Sequence, residues 1–215
     1  WCWSLLARTR LHLRWRVGRF RVVEEPAMRP RVRAEAPDMP LFIEENYTHV
    51  LRGKLDRGEL DAIIVALPFS GGGLVRAQMY EESFSVLLPG DHPWTKQKLI
   101  QPEQMLDETL LLLGEGHCFR DQALSFCSLP TARPHEGLDG SSLSTLVQMV
   151  GAGLGVTVIP EMAVPVDTPA AAVSVARFAG AQPARTIGMI WRKSSPLASQ
   201  LQELSDVVRG VGESL

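Results

Sequence analysis

Residues Thr48–Leu67 read THVLRGKLDRGELDAIIVAL, and the fold is decided by how they are read. The first part, THVLRGKLDRGEL, sets Val50, Leu51 and Leu55 on one side of a 3.6-residue repeat, which predicts an amphipathic helix. Gly58 suits the end of that helix, because glycine enters the left-handed conformation at little cost. The last part, LDAIIVAL from Leu60 to Leu67, is short, apolar and rich in β-branched residues. That is the pattern of a strand buried on both faces.

The same alternation continues outward in both directions. PLFIEENY, just ahead, reads as a strand entering a turn, and FSGGGLV, just after, as a flexible loop. SFSVLLP (Ser83–Pro89) is a further strand, with DHPW after it as a turn. TLLLLG (Thr109–Gly114) is a third buried strand, and it delivers the chain to His117 and Cys118. Beyond the loop LPTARPHEG, SSLSTLVQMVGAG predicts a helix. Ser141 or Ser142 would cap it, Leu143, Leu146, Val147 and Val150 would form its apolar face, and Gly153 and Gly155 would end it. VTVIP (Val156–Pro160) and TIGMIWR (Thr186–Arg192) are strands. PLASQLQELSDVVRGV is a closing helix with Leu197, Leu201, Leu204 and Val208 three or four residues apart. Strands alternating with helices predict an α/β fold with largely parallel sheets. No internal repeat or low-complexity segment is present.

Composition narrows the function classes. At 215 residues, 45% hydrophobic and 21% charged, the chain is an ordinary globular protein with enough length for a sizeable core. No run approaches the roughly 20 apolar residues of a membrane helix, and WCWSLLA is too short and too closely followed by Arg to be a signal peptide. Three cysteines without a secretory signal point to a reducing cytoplasm, where a disulfide acts as a switch rather than a staple. Residues 1–35 stand apart. The first 33 hold nine Arg, no Lys, three Trp and two Glu, with no sustained hydrophobic period. One reading is a basic arm that binds nucleic acid. The favoured reading is a segment that does not fold as part of the domain, disordered or read in a shifted frame, since a basic arm mixes Lys with Arg and lacks such a Trp load.

GEGHCFRDQALSFC (Gly114–Cys127) carries two of the three cysteines. Taken by composition, both are small buried hydrophobes, and Cys127 beside Phe126 and Leu129 fits a core position. The context of Cys118 argues for reactivity instead. His117 and Arg120 supply positive charge or hydrogen bonds, and a strand-to-helix turn adds backbone N–H groups, all of which favour a thiolate. A zinc site built from Cys118, Cys127 and His117 or His135 is disfavoured. The spacing matches no common zinc pattern, and an adjacent His and Cys rarely serve one ion. No metal or cofactor is expected.

LDRGELDAIIVAL and SSLSTLVQMVGAGLGVTVIP resemble the signature stretches of the effector domain of LysR-type transcriptional regulators. GHCFRDQALSFC is more specific. With HPW at 92–94, AVP at 163–165 and RTIG at 185–188, it resembles the peroxide-sensing OxyR family, nearly continuously from about Ala36 onward. That resemblance implies two Rossmann-like α/β subdomains of the periplasmic-binding-protein type. Residues 36–81 plus 187–215 would form the first and residues 82–186 the second. It implies Cys118 as the peroxidatic cysteine and Cys127 as the resolving one. His117, Thr48 and Arg185 would line the peroxide pocket, with Arg120 and Asp121 supporting the thiolate. It also implies hydrogen peroxide as the effector, a homodimer or tetramer, and a glutaredoxin- or glutathione-type reductant. Promoter DNA and RNA polymerase would be met through a winged helix-turn-helix and linker helix that are not among these residues. Residues 1–35 depart from the family pattern. They lack its opening strand and Thr-Val-Gly-Pro-type turn, and Arg19 falls where a pocket Thr is expected, so a first strand is expected to be missing.

RDQALSFC reads as helical. Residues nine apart in a helix are separated by about 13 Å along the axis, whereas a disulfide needs Cα atoms within about 7 Å. The segment would have to unwind to oxidise. Each residue also has a plainer reading: Thr48 as a helix cap, Arg185 as a surface ion pair, His49 and His92 as solvated positions, Cys2 as incidental. Three functions follow: a peroxide-sensing regulatory domain, a non-redox small-ligand effector domain of the same regulators, and a thiol peroxidase. The GHCFRDQ run favours the first over the second, and a sensor that reacts once and awaits a reductant is not an enzyme.

Overall fold

The computed structural model describes residues 3–7, 41–114, 118–126 and 139–212. These form two compact units. The first comprises Trp1–Glu81 and Thr186–Leu215, and the second Glu82–Arg185. The chain passes from one to the other twice, both times in mid-strand.

In the first unit, β1 (Trp3–Ala7), β2 (Leu41–Glu45), β3 (Ala62–Ala66) and β10 (Ala184–Arg192) lie in the order β2-β1-β3-β10, with β4 (Leu74–Pro89) next to β10. The ladders β1–β2, β1–β3 and β3–β10 are all antiparallel, with Leu5 opposite both Ile43 and Ala62, and Ile190 opposite Ile63. The expected strand within LDAIIVAL is therefore present, and its first four residues are buried. Ala62, Ile64, Ala77, Met79, Ile187, Met189 and Trp191 pack with Leu201, Leu204 and Val208 of the closing helix into one core. Helix α1 (Thr48–Asp56) buries Leu51 and Leu55 completely. It ends as expected: the Arg57 N–H bonds the carbonyl of Gly53, and Gly58 follows at φ 75°.

In the second unit, the rest of β4 pairs antiparallel with β8 (Thr157–Pro160) and β9 (Val173–Phe178). β5 (Leu99–Ile100) runs parallel to β9, and β6 (Leu112–Leu113) parallel to β7 (Asp139–Gly140). Helices α2 (Cys118–Phe126), α3 (Leu143–Gly151) and the short α4 (Val164–Asp167) belong here, while α5 (Ala198–Gly212) closes the first unit. Phe84, Val86, Leu88, Leu112, Leu113, Phe119, Ala123, Val158 and Phe178 share the core of the second unit.

Three expectations change. The sheets are mixed rather than largely parallel, because the extended strands β4 and β10 return antiparallel beside their neighbours, and helical crossovers do not join every pair. The missing first strand is supplied by Trp3–Ala7, which lies between β2 and β3. WSLLA is five residues of moderate strand-forming tendency, too short to display a period, and the pairing partners on both sides determine its state. TLLLLG forms only two residues of ladder, although Leu110 bridges Val156 and Leu110–Leu113 are all buried. Residues 8–35, Arg19 among them, lie outside the described residues.

Candidate redox site

Helix α2 begins at Cys118 and ends at Phe126. It follows β6 after a brief connection, so the cysteine stands where the helix's unsatisfied backbone N–H groups are. The sequence makes this helix by placing Phe119 and Ala123 four residues apart. Both are buried against the core of the second unit, where Leu124 packs beside them. Arg120 ties the helix back to the strand: its Nη1 donates to the Leu113 carbonyl at 2.9 Å. Ser142 caps α3, as one of the two expected residues, by accepting from the Thr145 N–H at 3.1 Å.

Arg185 is no surface ion pair. Its side chain and that of Glu82 are each 6% exposed, and Nε and Nη2 both reach Glu82 Oε2 at 2.5 Å. Nη1 donates to Gln122 Oε1 of α2 at 3.1 Å. The guanidinium carbon lies 5.4 Å from the ring centre of Phe84 and 5.9 Å from that of Phe119, two rings that themselves sit 5.6 Å apart. A buried arginine is thus satisfied by a carboxylate, an amide and two aromatic faces. Sequence reading named Arg185 but missed Glu82 and Gln122. The available signal was Gln122 itself, inside the HCFRDQ run.

The remaining expected residues are distributed as follows. Thr48 is half-buried in the first unit as the first residue of α1, and Tyr47, not Thr48, occupies the cap position. His49 is exposed and stacks on Tyr47 at 5.8 Å. His92 is not solvated: its side chain is 13% exposed, Nδ1 accepts from the Trp94 N–H at 3.2 Å, and Nε2 lies 3.3 Å from Glu108. Asp121 lies on α2. His117, Cys127 and His135 fall outside the described residues. Among the described residues, no cluster of three His, Cys, Asp or Glu is placed to hold a metal, and no helix is long and apolar enough to cross a membrane.

Residues 26–213 match the family model of the LysR substrate binding domain. The chain belongs to that family. It is 33% identical over 184 residues to the DNA-binding transcriptional dual regulator OxyR of Escherichia coli K12, covering 86% of this chain and 60% of that protein. It is 36% identical to the probable hydrogen peroxide-inducible genes activator of Mycobacterium avium, covering 85% and 59%. The chain therefore spans about three-fifths of the curated relatives it matches. Among solved structures, the reduced form of the OxyR regulatory domain from Pseudomonas aeruginosa is 45% identical with a TM-score of 0.75, covering 86% of this chain and 90% of that one. A hydrogen-peroxide-bound cysteine-to-serine mutant of Corynebacterium glutamicum OxyR is 30% identical with a TM-score of 0.80, covering 88% and 60%. The fold is that of the OxyR regulatory domains, a periplasmic-binding-protein-like α/β architecture.

Proposed function

We propose that this chain is the peroxide-sensing regulatory domain of a LysR-type transcriptional activator, switched by a reversible Cys118–Cys127 disulfide. The observation that carries this reading is the placement of Cys118 as the first residue of α2, whose last residue immediately precedes Cys127. The Cys118 thiolate attacks one oxygen of hydrogen peroxide, the O–O bond breaks, and the departing oxygen takes a proton and leaves as water. The resulting sulfenic acid condenses with the Cys127 thiol, forming the S–S bond and releasing a second water. Two thiols are oxidised and one peroxide is reduced to two waters. A glutaredoxin- or glutathione-type dithiol–disulfide exchange reverses the step. His117 is assigned to peroxide binding and protonation, Arg185 to the charge of its surroundings, and Arg120 and Asp121 to the thiolate's surroundings.

Helix geometry makes this a switch. Nine helical residues hold their first and last Cα about 12 Å apart, and the next Cα is tied within about 3.8 Å of the last. While α2 persists, the two cysteine Cα atoms stay at least about 8 Å apart, beyond the roughly 7 Å that a disulfide spans. The bond forms only when α2 unwinds, and once formed it keeps the segment unwound. The rebuilt surface would alter packing in a homodimer or tetramer. The rest of the regulator, in the cytoplasm, would convey that change to promoter DNA and RNA polymerase.

The test is peptide mapping after one equivalent of hydrogen peroxide, with alkylation of free thiols before digestion. A crosslinked Cys118–Cys127 peptide that forms within minutes and is removed by a thiol reductant is the expected result. Two free thiols would sink the reading, and sustained peroxide turnover with excess thiol would replace the sensor by a peroxidase.

A further inference from the structure

Arg185 and Glu82 are the last and first residues of the second unit, and their ion pair is buried. We propose that Glu82 and Gln122 are positioning residues of the redox switch: through Arg185 they form a latch that holds α2 wound and sets how readily it opens. This rests on the disulfide reading above for its redox consequence, though not for the latch itself.

Arg185 touches α2 at two points one turn apart, the Gln122 amide and the Phe119 ring. Neither contact can survive unwinding of the segment between Cys118 and Phe126, since both depend on the helical spacing of positions 119 and 122. Glu82 keeps the guanidinium oriented by binding Nε and Nη2, which leaves Nη1 directed at Gln122. Because the pair sits on β4 and β10, it is anchored by strands and does not move with the helix. Opening α2 therefore withdraws one of the acceptors from a buried cation. That cost is part of the free-energy difference between the wound dithiol and the unwound disulfide. Arg120, whose Nη1 donates to the Leu113 carbonyl, lies two residues from Cys118 and acts on the first turn.

The latch has a consequence of definite sign. Gln122→Ala removes an acceptor present only in the wound state, which favours the disulfide. Gln122→Glu substitutes a charged acceptor, which strengthens the bond to Arg185 and disfavours it. Hydrogen bonds to charged groups are strong enough for about a tenfold change in the disulfide equilibrium constant, equivalent to about 30 mV for this two-electron couple.

The experiment uses the full chain, reduced and then titrated. Amide hydrogen exchange on the reduced protein is read over α2 with α3 as internal reference. The disulfide midpoint is then read against glutathione buffers. Gln122→Ala should speed α2 exchange about tenfold relative to α3 and lower the midpoint by about 30 mV, and Gln122→Glu should move both the other way. Opposite shifts in the two variants establish the latch. Unchanged α2 exchange in both, or changes of the same sign, overturn it. If α2 exchange responds as stated while the wild-type chain forms no disulfide, the latch stands and the redox function is what fails.

Discussion

At the scale of single residues, burial decides what each charge contributes. The Glu82–Arg185 pair is buried, so removing the carboxylate leaves a cation without its counter-charge in a low-dielectric site. Glu82→Ala is expected to cost about 3–5 kcal/mol in urea unfolding. The Arg177–Glu161 pair at 3.0 Å is exposed, and Glu161→Ala should cost under about 1 kcal/mol in the same measurement. Equal losses would show that burial does not distinguish the two. Glycines divide in the same way. A Cβ on Gly155 would overlap the Thr109 carbonyl and crowd Leu111, while Gly72 meets nothing. Gly155→Ala should lose roughly 1–3 kcal/mol and Gly72→Ala within about 0.5 kcal/mol of nothing. Reading Gly155 as a helix terminator thus located the residue but not its reason: it lets the chain pass close to the strand-forming segment before β6. Glu59, beside the Arg57 guanidinium, is held below the usual carboxylate range. Its contribution is present above the ordinary carboxylate pKa and lost as pH falls through the lowered one, and an NMR titration of its side chain should show that low midpoint.

Among elements, the legible ones were those whose own residues depend least on the rest of the fold. The helices α1, α3 and α5 announce their apolar faces by spacing, and Ser142 and Gly58 mark two of their ends. Ser142→Ala should accordingly lower stability by about 1 kcal/mol, with α3 amides exchanging faster. Strand β3 was legible because both its faces are buried. The strands that escaped notice, β1, β5, β7 and β9, depend on partners. In β9 only Ala176 and Phe178 are buried, and β5 and β7 have two residues each, so tertiary pairing rather than local pattern sets their state. The direction of pairing was not legible either, since a buried strand reads alike in parallel and antiparallel ladders. The candidate site was half legible. The HCFRDQ run located α2 and Arg120, but Glu82 lies 103 positions from Arg185, a separation no local pattern reveals.

Over the whole molecule, each unit is assembled from what the chain brings back to it. Leu201, Leu204 and Val208 of α5 cover Met189 and Trp191 in the first unit. Truncation before Ala198 should therefore collapse exchange protection in β3 and β10 while the amides of β8 and α3 stay protected. Loss of protection in both groups would show that the two units do not hold their structure separately. The two passages between units lie inside β4 and β10, at Glu81–Glu82 and Arg185–Thr186, with no loop at either. A strand presents alternate residues to opposite faces, so one residue added or lost at such a passage would turn every side chain beyond it inside out. A turn such as Gly72–Gly73, where an added Cβ would meet nothing, can absorb an extra residue, whereas neither passage can.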